Sequence, residues 1–471
     1  MAESEGHASS RPSAGWSDGG IESGFASPRA AALLSWDRRM VAMLDVEAAL
    51  ARVQARHGLI SREAADEVAA ACDPVRHDLG ALAAEARVAA SPVIPLLTRL
   101  RAVADPAGSA AVHRGATSQD VIDTAMMLQV RAALDLLDDE LVAVATRCAA
   151  LAREHRATIA PGRTLQQQAA PITIGLVAAR WYGAVTRTVA RLRAARPELL
   201  ACQFGGVVGT FGGLGVVGPA LLDDLAAELG LHAPDLPWHA ERDRIVTLAG
   251  LLGGVVEVTG KIAGDVVRSS STAIGELVEQ PPAGPGSSAL PHKRNPVAAV
   301  AARAACRLAA GHLHVLQAPA QHEFERSAGD WQSEWVALPA ALVTTIGAVE
   351  QVRASLGRVV VDTARCRANL GHTHGLFATE TLLAALADEL GWDTARSVLG
   401  ELTSRVGPER DLAAAATADC RVSAVLDPDR LAAVLAPEAA VAAVEPLIER
   451  ALAAGSARLG GDTATVADTG S

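Results

Sequence analysis

The sequence predicts an all-α protein built on a bundle of long helices. Half of the 471 residues are hydrophobic, but only 3% are aromatic. Alanine and leucine dominate instead, and both enter helices at little cost in free energy. Apolar residues recur over long stretches at alternating steps of three and four, whereas alternating β-branched segments are scarce. A helix of roughly 35 residues is about 50 Å long, so the predicted bundle is a long one.

Two stretches show the spacing of helices that pack lengthwise against a partner helix. One helix is predicted from about Ser118 to about His155, and another covers 245–266. The apolar positions are Val130, Leu134, Leu137, Leu141, Val144, Cys148 and Leu151 in the first, and Ile245, Leu248, Leu252, Val255, Thr259, Ile262 and Val266 in the second. Further helices are predicted over 171–195, 297–318, 332–357 and 376–390.

Composition excludes several classes of function. A net charge of −11 argues against general nucleic-acid binding, which needs a basic surface, although an anionic small substrate could still bind a locally basic site. No charge-free apolar run of about 18 residues predicts a membrane span, and no signal peptide is predicted. Residues 1–24 and 459–471 are predicted to be disordered tails. The cysteines are scattered without a CxxC pair, as is typical of a reduced cytoplasmic protein: Cys72, Cys148, Cys202, Cys306, Cys366 and Cys420.

The longest break in the helical pattern is GELVEQPPAGPGSSALPHKRNP at 275–296. Its prolines and glycines prevent a helix, and loops of this length are commonly functional or disordered. The break carries a dense set of acid–base and hydrogen-bonding groups: Ser287, Ser288, His292, Lys293, Arg294 and Asn295. Composition alone leaves two interpretations open, an exposed polar linker or a lid that closes over a substrate.

A second break, HRGATSQD at 113–120, precedes the first long helix. Thr117 and Asp120 fit a helix-capping pattern and need no other role. Helix starts also bind carboxylates, so Thr117, Ser118 and Gln119 together predict a carboxylate seat. His113 is either a proton donor or a structural residue.

Two further patterns have less specific meanings. GRTLQQQAAP at 162–171 places three glutamines before an apolar helix expected near Ile172, facing either the bundle or solvent. The glycine-rich QFGGVVGTFGGLG at 203–215 ends in a GxGxxG match, but no strand clearly precedes it, which favours a turn over a dinucleotide site. His312, His314 and His322 could suggest a metal site, but His312 and His314 are two apart and would not share a face of a helix, which argues against it.

These breaks resemble the signature regions of the fumarase/aspartase superfamily, in the same order and over roughly residues 30–455. GSSALPHKRNP is similar to its GSSxMPxKxNP signature. Within the superfamily, AMLDVEAALARVQARHGLI, GATSQDVIDTA and ERSAGDWQSEWVALP resemble the bacterial 3-carboxy-cis,cis-muconate cycloisomerases. Adenylosuccinate lyases share PHKRNP but carry a histidine after GRT, where this chain has Leu165. A second departure is Ser91, where the family often has asparagine.

The resemblance implies an architecture. A long central helical bundle at 118–360, with a mobile loop at 276–296, would be flanked by smaller helical domains at 25–117 and 361–458. Members are homotetramers whose sites combine three regions from three subunits, which would explain seams that one chain cannot cover. The resemblance implies no metal or organic cofactor, no nucleic acid and no membrane.

The resemblance also implies a reaction, the lactonisation of 3-carboxy-cis,cis-muconate through an aci-carboxylate in the protocatechuate branch of aromatic degradation. Ser288, or alternatively Ser287, would transfer the proton, and His113 would donate to the reacting carboxylate. Lys293 would stabilise the serine alkoxide and also hold a carboxylate. The remaining predicted site residues would bind the substrate's carboxylates: Asn295, Thr117, Ser118, Gln119, Arg163, Thr164, Gln167, Arg114, His292 and Arg294. The alternatives are adenylosuccinate lyase, another fumarate-releasing lyase, or a non-catalytic helical tetramer.

Overall fold

Helices make up nearly all the regular structure in the computed structural model, which describes residues 24–281, 290, 293–318 and 321–461. The helices are α1 (Pro28–Leu33), α2 (Trp36–Arg56), α3 (Arg62–Ala71), α4 (Leu79–Ala89), α5 (Val93–Val103), α6 (Pro106–Ala111), α7 (Ser118–Glu154), α8 (Ile174–Leu199), α9 (Gly218–Leu229), α10 (Asp243–Ser269), α11 (Val297–Gln317), α12 (Asp330–Arg358), α13 (Thr363–Leu370), α14 (Thr379–Leu390), α15 (Trp392–Thr403), α16 (Leu412–Thr417), α17 (Cys420–Ser423), α18 (Pro428–Leu435), α19 (Pro437–Ala440) and α20 (Val444–Leu459). Strands β1 (Ile159–Thr164) and β2 (Gln167–Thr173) pair antiparallel, as do β3 (Leu277–Glu279) and β4 (Val359–Val361). The prediction of an all-α protein is confirmed.

The long helices follow the apolar spacing closely. Helix α7 ends one residue before the predicted His155, and every apolar position predicted in α7 and α10 is buried. The expectation that one chain cannot cover these two seams was therefore wrong. Helices α8, α11, α12 and α14 occupy the other predicted ranges. The expected tails fall almost entirely outside the described residues.

The glutamine-rich stretch forms a hairpin, so the prediction of a helix start there was wrong. Thr164 pairs with Gln167 across a two-residue turn at Leu165 and Gln166, whose φ angles of 50° and 68° are left-handed. Pro171 disfavours helical backbone at the residue before it, and this outweighs the good helix propensity of glutamine. Helix α8 therefore begins only at Ile174.

The described chain divides into two compact units. Unit 1 contains the residues up to Asp139 together with Arg191–Glu257 and Ala304–Glu350, and unit 2 contains Glu140–Ala190, Val258–Arg303 and the residues from Gln351 onwards. In unit 1 the main core is packed from α2, α3, α5 and the start of α7, and a second core lies around Phe204 and Phe211 of the glycine-rich stretch. In unit 2 a separate core joins α14, α15, α16 and α18. The division into three domains stays a prediction.

Two helices, α10 and α12, are long and apolar enough to cross a membrane by length and composition. In the structure, 39% and 72% of their most apolar windows are buried. Core helices of soluble proteins pass the same test, so this finding is weak support for a membrane span.

Candidate active site

Two buried polar side chains of α2 hold the turn that carries His113. Glu47 Oε1 lies 2.6 Å from His113 Nδ1, and Gln54 Nε2 donates to the backbone oxygen of Arg114 at 2.7 Å. Glu47 and Gln54 are 1% and 0% exposed, and their spacing of about two helical turns places them on one face of α2. A carboxylate at Nδ1 makes that nitrogen the donor and orients the ring. The other ring nitrogen, Nε2, is left for another partner.

The backbone of this turn needs glycine at one position. Gly115 has φ 71°, and a Cβ there would lie 2.6 Å from the Leu214 side chain. His113 itself has φ 62°, an uncommon conformation for a residue with a side chain. The turn and the glycine-rich stretch are therefore closely fitted, which fixes the position of the imidazole.

Asp120 joins the start of α7 to the glycine-rich stretch. Its carboxylate accepts from the N–H groups of Thr117, Gly205 and Gly206 at 2.9–3.1 Å and lies 2.7 Å from His239 Nε2. Burial raises the pKa of Asp120, while His239 and the N–H donors oppose that rise. One half of the predicted capping pattern is confirmed, because the Asp120 side chain accepts from the backbone N–H of Thr117.

Arg326 is a residue that sequence reasoning missed. Its Nε donates to Gln119 Oε1 at 2.9 Å, and its Nη2 donates to Thr117 Oγ1 at 3.2 Å and to the Val207 oxygen at 3.0 Å. A guanidinium therefore lies beside two of the three side chains predicted to seat a carboxylate, and Ser118 is the first residue of α7. Arg326 lies in the ERSAGDWQSEWVALP segment, whose family likeness was the available signal.

A buried charge network lies behind Gln119. Gln119 Nε2 donates to Asp123 at 3.2 Å, and Arg242 Nη1 donates to the same carboxylate at 2.8 Å. Arg242 also pairs with Glu334, and Trp331 Nε1 donates to Asp123 at 2.9 Å. Burial lowers the pKa of Arg242, but the two carboxylates outweigh it and leave the pKa above its ordinary value. The network fixes the first turn of α7. Gln119 is 0% exposed and both ends of its amide are bonded, so its predicted role in seating a carboxylate stays a prediction.

His322 lies at the edge of this network with its side chain 1% exposed. Its Nε2 is 3.5 Å from Glu334 Oε1, and neither ring nitrogen has a hydrogen-bond partner within the described chain. Burial, followed by the nearby Arg242, lowers the pKa of His322. The imidazole is therefore held neutral.

In unit 2, the β1–β2 hairpin is held by Arg163. Its guanidinium makes two hydrogen bonds with the carboxylate of Glu276, at 2.8 and 2.5 Å, and Asn369 Nδ2 donates to the same carboxylate at 2.7 Å. Glu276 is 2% exposed. Arg163 is thus occupied by a structural partner, and its predicted role in substrate binding stays a prediction. Thr164 and Gln167 are exposed at the end of the hairpin.

A cavity of about 560 Å³ lies beside the hairpin in unit 2. Arg163 and Thr164 line it, as do Arg180, Lys261 and Arg268 from α8 and α10. Asp265 and Glu276 also line the cavity, and they pair with Lys261 and Arg163. Arg180 and Arg268 are the remaining cations of the lining, and they could meet an anionic ligand.

The start of α11 is fixed by one buried carboxylate. Glu279 accepts from the N–H groups of Ala298 and Ala299 at 3.0 and 3.2 Å, from Ser355 Oγ at 2.7 Å and from Arg358 Nη2 at 3.0 Å. The positive end of a helix and a guanidinium together stabilise this buried charge. The first turn of α11 is therefore held in place by the Glu279 carboxylate.

Three predicted site residues lie directly before that anchor. Lys293 and Arg294 are exposed and Asn295 is half-buried. The backbone N–H of Lys293 donates to the oxygen of Leu290 at 2.9 Å. The predicted catalytic serines Ser287 and Ser288 and the predicted substrate-binding His292 lie outside the described residues.

The structure thus groups the predicted residues in two sets. His113, Arg114, Thr117, Ser118 and Gln119 lie together in unit 1, where Arg326 joins them. Arg163, Thr164, Gln167, Lys293, Arg294 and Asn295 belong to unit 2. Combining the two sets into one site stays a prediction.

The chain is similar to known proteins over most of its length. The model of the lyase family matches residues 29–311. A 3-carboxy-cis,cis-muconate cycloisomerase of Bradyrhizobium diazoefficiens is 41% identical over 417 residues, covering 87% of this chain and 92% of the relative. A nitrosuccinate lyase of Streptomyces davaonensis is 37% identical, covering 92% of this chain and 95% of the relative. The crystal structure of a 3-carboxy-cis,cis-muconate lactonizing enzyme from Pseudomonas putida matches with a TM-score of 0.87 at 37% identity, covering 93% of this chain and 99% of that one.

Proposed function

The chain belongs to the lyase family of the fumarase/aspartase superfamily, and we propose that it catalyses the cycloisomerisation of 3-carboxy-cis,cis-muconate to 4-carboxymuconolactone. The proposal rests on the identity of 41% over 417 residues to a cycloisomerase. Two further 3-carboxy-cis,cis-muconate cycloisomerases are 41% and 39% identical to the chain, whereas the nitrosuccinate lyase is 37% identical. The enzyme would act in the cytoplasm, in the catabolism of aromatic compounds.

The reaction makes specific demands on a site. A carboxylate oxygen adds across a C=C bond, and a proton is delivered to the carbon next to another carboxylate. That carboxylate carries additional negative charge in the aci-carboxylate intermediate, so donors fixed in advance must stabilise it. The substrate carries three carboxylates, so the site must be locally basic.

In unit 1, the geometry supports a binding and proton-transfer role for the turn at 113–120. His113, oriented by buried Glu47 at Nδ1, would donate from Nε2 to the reacting carboxylate when both ring nitrogens carry a proton. Thr117, Ser118 and Gln119 would bind a carboxylate, and Arg326 adds a cation beside them. Arg114 would supply further positive charge.

In unit 2, Ser288 would transfer the proton at the α-carbon, with Ser287 as the alternative. In lactonisation the serine would give its hydroxyl proton to the α-carbon and be left as an alkoxide, and in the reverse direction that alkoxide would be the base. An unperturbed serine is a poor base, so the alkoxide would need the charge of Lys293 nearby. Lys293 and Asn295 would hold one carboxylate. The other predicted ligands, in supporting roles, are His292, Arg294, Arg163, Thr164 and Gln167.

Leu165 favours the cycloisomerase over adenylosuccinate lyase. It occupies the hairpin turn and is 96% exposed. Leucine has no proton to give. An elimination that relies on a histidine after GRT would therefore lack its acid in this chain.

We further propose a homotetramer whose sites are shared between subunits. Helix α11 exposes large apolar side chains that a monomer would leave in water, including Val300 at 51% and Leu308 at 41%. Contiguous exposed apolar surface commonly marks an interface. Light scattering should give a mass of four chains, and a monomeric mass would contradict this part of the proposal.

The first test is an ultraviolet assay of the purified chain with 3-carboxy-cis,cis-muconate. Loss of the conjugated-diene absorbance, with a lactone product identified by mass spectrometry and NMR, is the expected result. Fumarate release from adenylosuccinate, without turnover of the muconate, would refute the proposed substrate and leave the family unaffected.

The second test separates the two serines. Ser288→Ala should abolish turnover while circular dichroism and oligomeric mass stay unchanged, and Ser423→Ala, an exposed serine on α17, is the matched control. Full activity in Ser288→Ala together with inactivity in Ser287→Ala would move the base to Ser287.

A further inference from the structure

A groove between α8 and α20 in unit 2 is lined by none of the residues assigned to the reaction. Its volume is about 470 Å³. Four arginines line it, Arg180 and Arg187 from α8 and Arg450 and Arg458 from α20, and no acidic residue does. The groove is therefore strongly cationic in a chain whose net charge is −11.

The groove exists because small residues meet where the two helices pack. Gly455 of α20 rests directly on the Tyr182 ring of α8, so that any Cβ at 455 would overlap the ring. Beside this contact the walls are formed by small side chains, which leave space that larger ones would fill. The small lining residues are Ala179, Gly183, Ala451 and Ala454. Leu176 and Leu447 complete an apolar floor.

The four guanidiniums have no ion pair or side-chain hydrogen bond with any other described residue. Many other arginines of unit 2 are paired, as Arg163 is with Glu276, and the nearby Glu445 of α20 faces Arg156 at 3.5 Å. The arginines are seven positions apart on α8 and eight apart on α20. That spacing is about 10–12 Å along each helix, so cations stand at both ends of the groove.

We propose that this groove binds a small aromatic or aliphatic polycarboxylate at a site distinct from the catalytic one. Arginine forks match carboxylates with two parallel hydrogen bonds, and the apolar floor matches a hydrocarbon body. The volume lies within the range of small-molecule sites. Arg180 also lines the cavity beside the hairpin, so an occupant would contact a residue shared with that cavity.

Calorimetric titration of the full chain with benzene-1,2,4-tricarboxylate tests this site directly and needs no turnover. The double variant Arg187→Gln/Arg458→Gln should bind the probe about tenfold more weakly, because it removes two of the four guanidiniums that would meet its carboxylates. The control Arg396→Gln/Arg410→Gln removes the same charge from exposed positions of unit 2 outside the groove, and it should bind like the original chain.

The outcomes separate the groove from the catalytic site. Weaker probe binding with unchanged turnover of 3-carboxy-cis,cis-muconate, or of whichever substrate the chain proves to use, supports the proposal. Equal weakening in both double variants would show a general charge effect and overturn it. Loss of probe binding together with turnover, in a folded variant, would place the probe in the catalytic site and overturn it as well. The uncharged trimethyl ester should not bind, and binding of the ester equal to that of the acid would also refute the proposal.

Discussion

Replacing Arg242 by methionine tests whether the charge network behind Gln119 stabilises unit 1. Arg242 is bound by two buried carboxylates, those of Asp123 and Glu334, and stacks over Trp238 at 4.6 Å from the ring centroid. Methionine keeps much of the apolar volume but removes the only cation that pairs with these two carboxylates among the described residues. The variant therefore isolates the charge.

The expected cost follows from burial. The side chains of Arg242, Asp123 and Glu334 are 2%, 5% and 8% exposed, so both carboxylates would be left uncompensated away from water. Breaking a buried pair by removing one partner costs about 3–5 kcal/mol. In a unit of this size that is a fall in Tm of about 10 °C.

Arg193→Met is the matched control. Arg193 also makes two hydrogen bonds with one carboxylate, Asp138, but the two side chains are 41% and 23% exposed. An exposed pair contributes at most about 1 kcal/mol. Scanning fluorimetry of all three proteins at one concentration should therefore separate the variants clearly. Equal shifts in the two variants would refute the argument that burial determines the cost.

Three further outcomes are expected. Burial keeps the pKa of His322 in the folded protein below its ordinary value of 6.5. As pH falls, the unfolded state therefore binds the proton first, and the folded state loses stability below about pH 6.5. His322→Gln should flatten this loss in denaturant midpoints measured from pH 7.5 to 5, and an unchanged slope would contradict it. Glu47→Gln should lower kcat about 10–100-fold and shift the pH profile of kcat/KM, with little change in KM, because an orienting partner of His113 is weakened; Asp45→Asn on the same helix is the control, and an unchanged pH profile would argue against the orienting role. Ellman's reagent at pH 8 should titrate one thiol per native chain, Cys420, since the other five are buried and burial raises the pKa of Cys148 and Cys202 to about 12; Cys420→Ser should abolish that fast reaction, and a second fast thiol would refute the assignment.

The helices were predictable because the buried residues of each helix recur at regular intervals in its sequence. The positions from Val130 to Leu151 repeat every three or four residues, and the same positions are buried in the structure. The capping of Thr117 by Asp120 was predictable for a similar reason, since both residues lie within one turn. Local patterns report local structure well.

The partners of the site residues were not predictable, because they lie far away in the sequence. Arg163 pairs with Glu276 across 113 positions, and Arg326 reaches Gln119 across 207. No periodicity marks such pairs. The hairpin at Leu165 was missed because glutamine favours helices, whereas the backbone there follows Pro171 and the Arg163–Glu276 pair.

Glu279 connects these two levels of organisation. Its strand β3 pairs with β4, and its carboxylate accepts from the first N–H groups of α11, 19 and 20 positions later. The segment that carries the predicted catalytic serines therefore leaves and re-enters the fold at a single buried charge. These contacts at the two ends of the segment offset part of the conformational entropy that is lost when the chain closes it. The polar segment is evident in the sequence, whereas the role of the Glu279 carboxylate at its two ends is evident only in the structure.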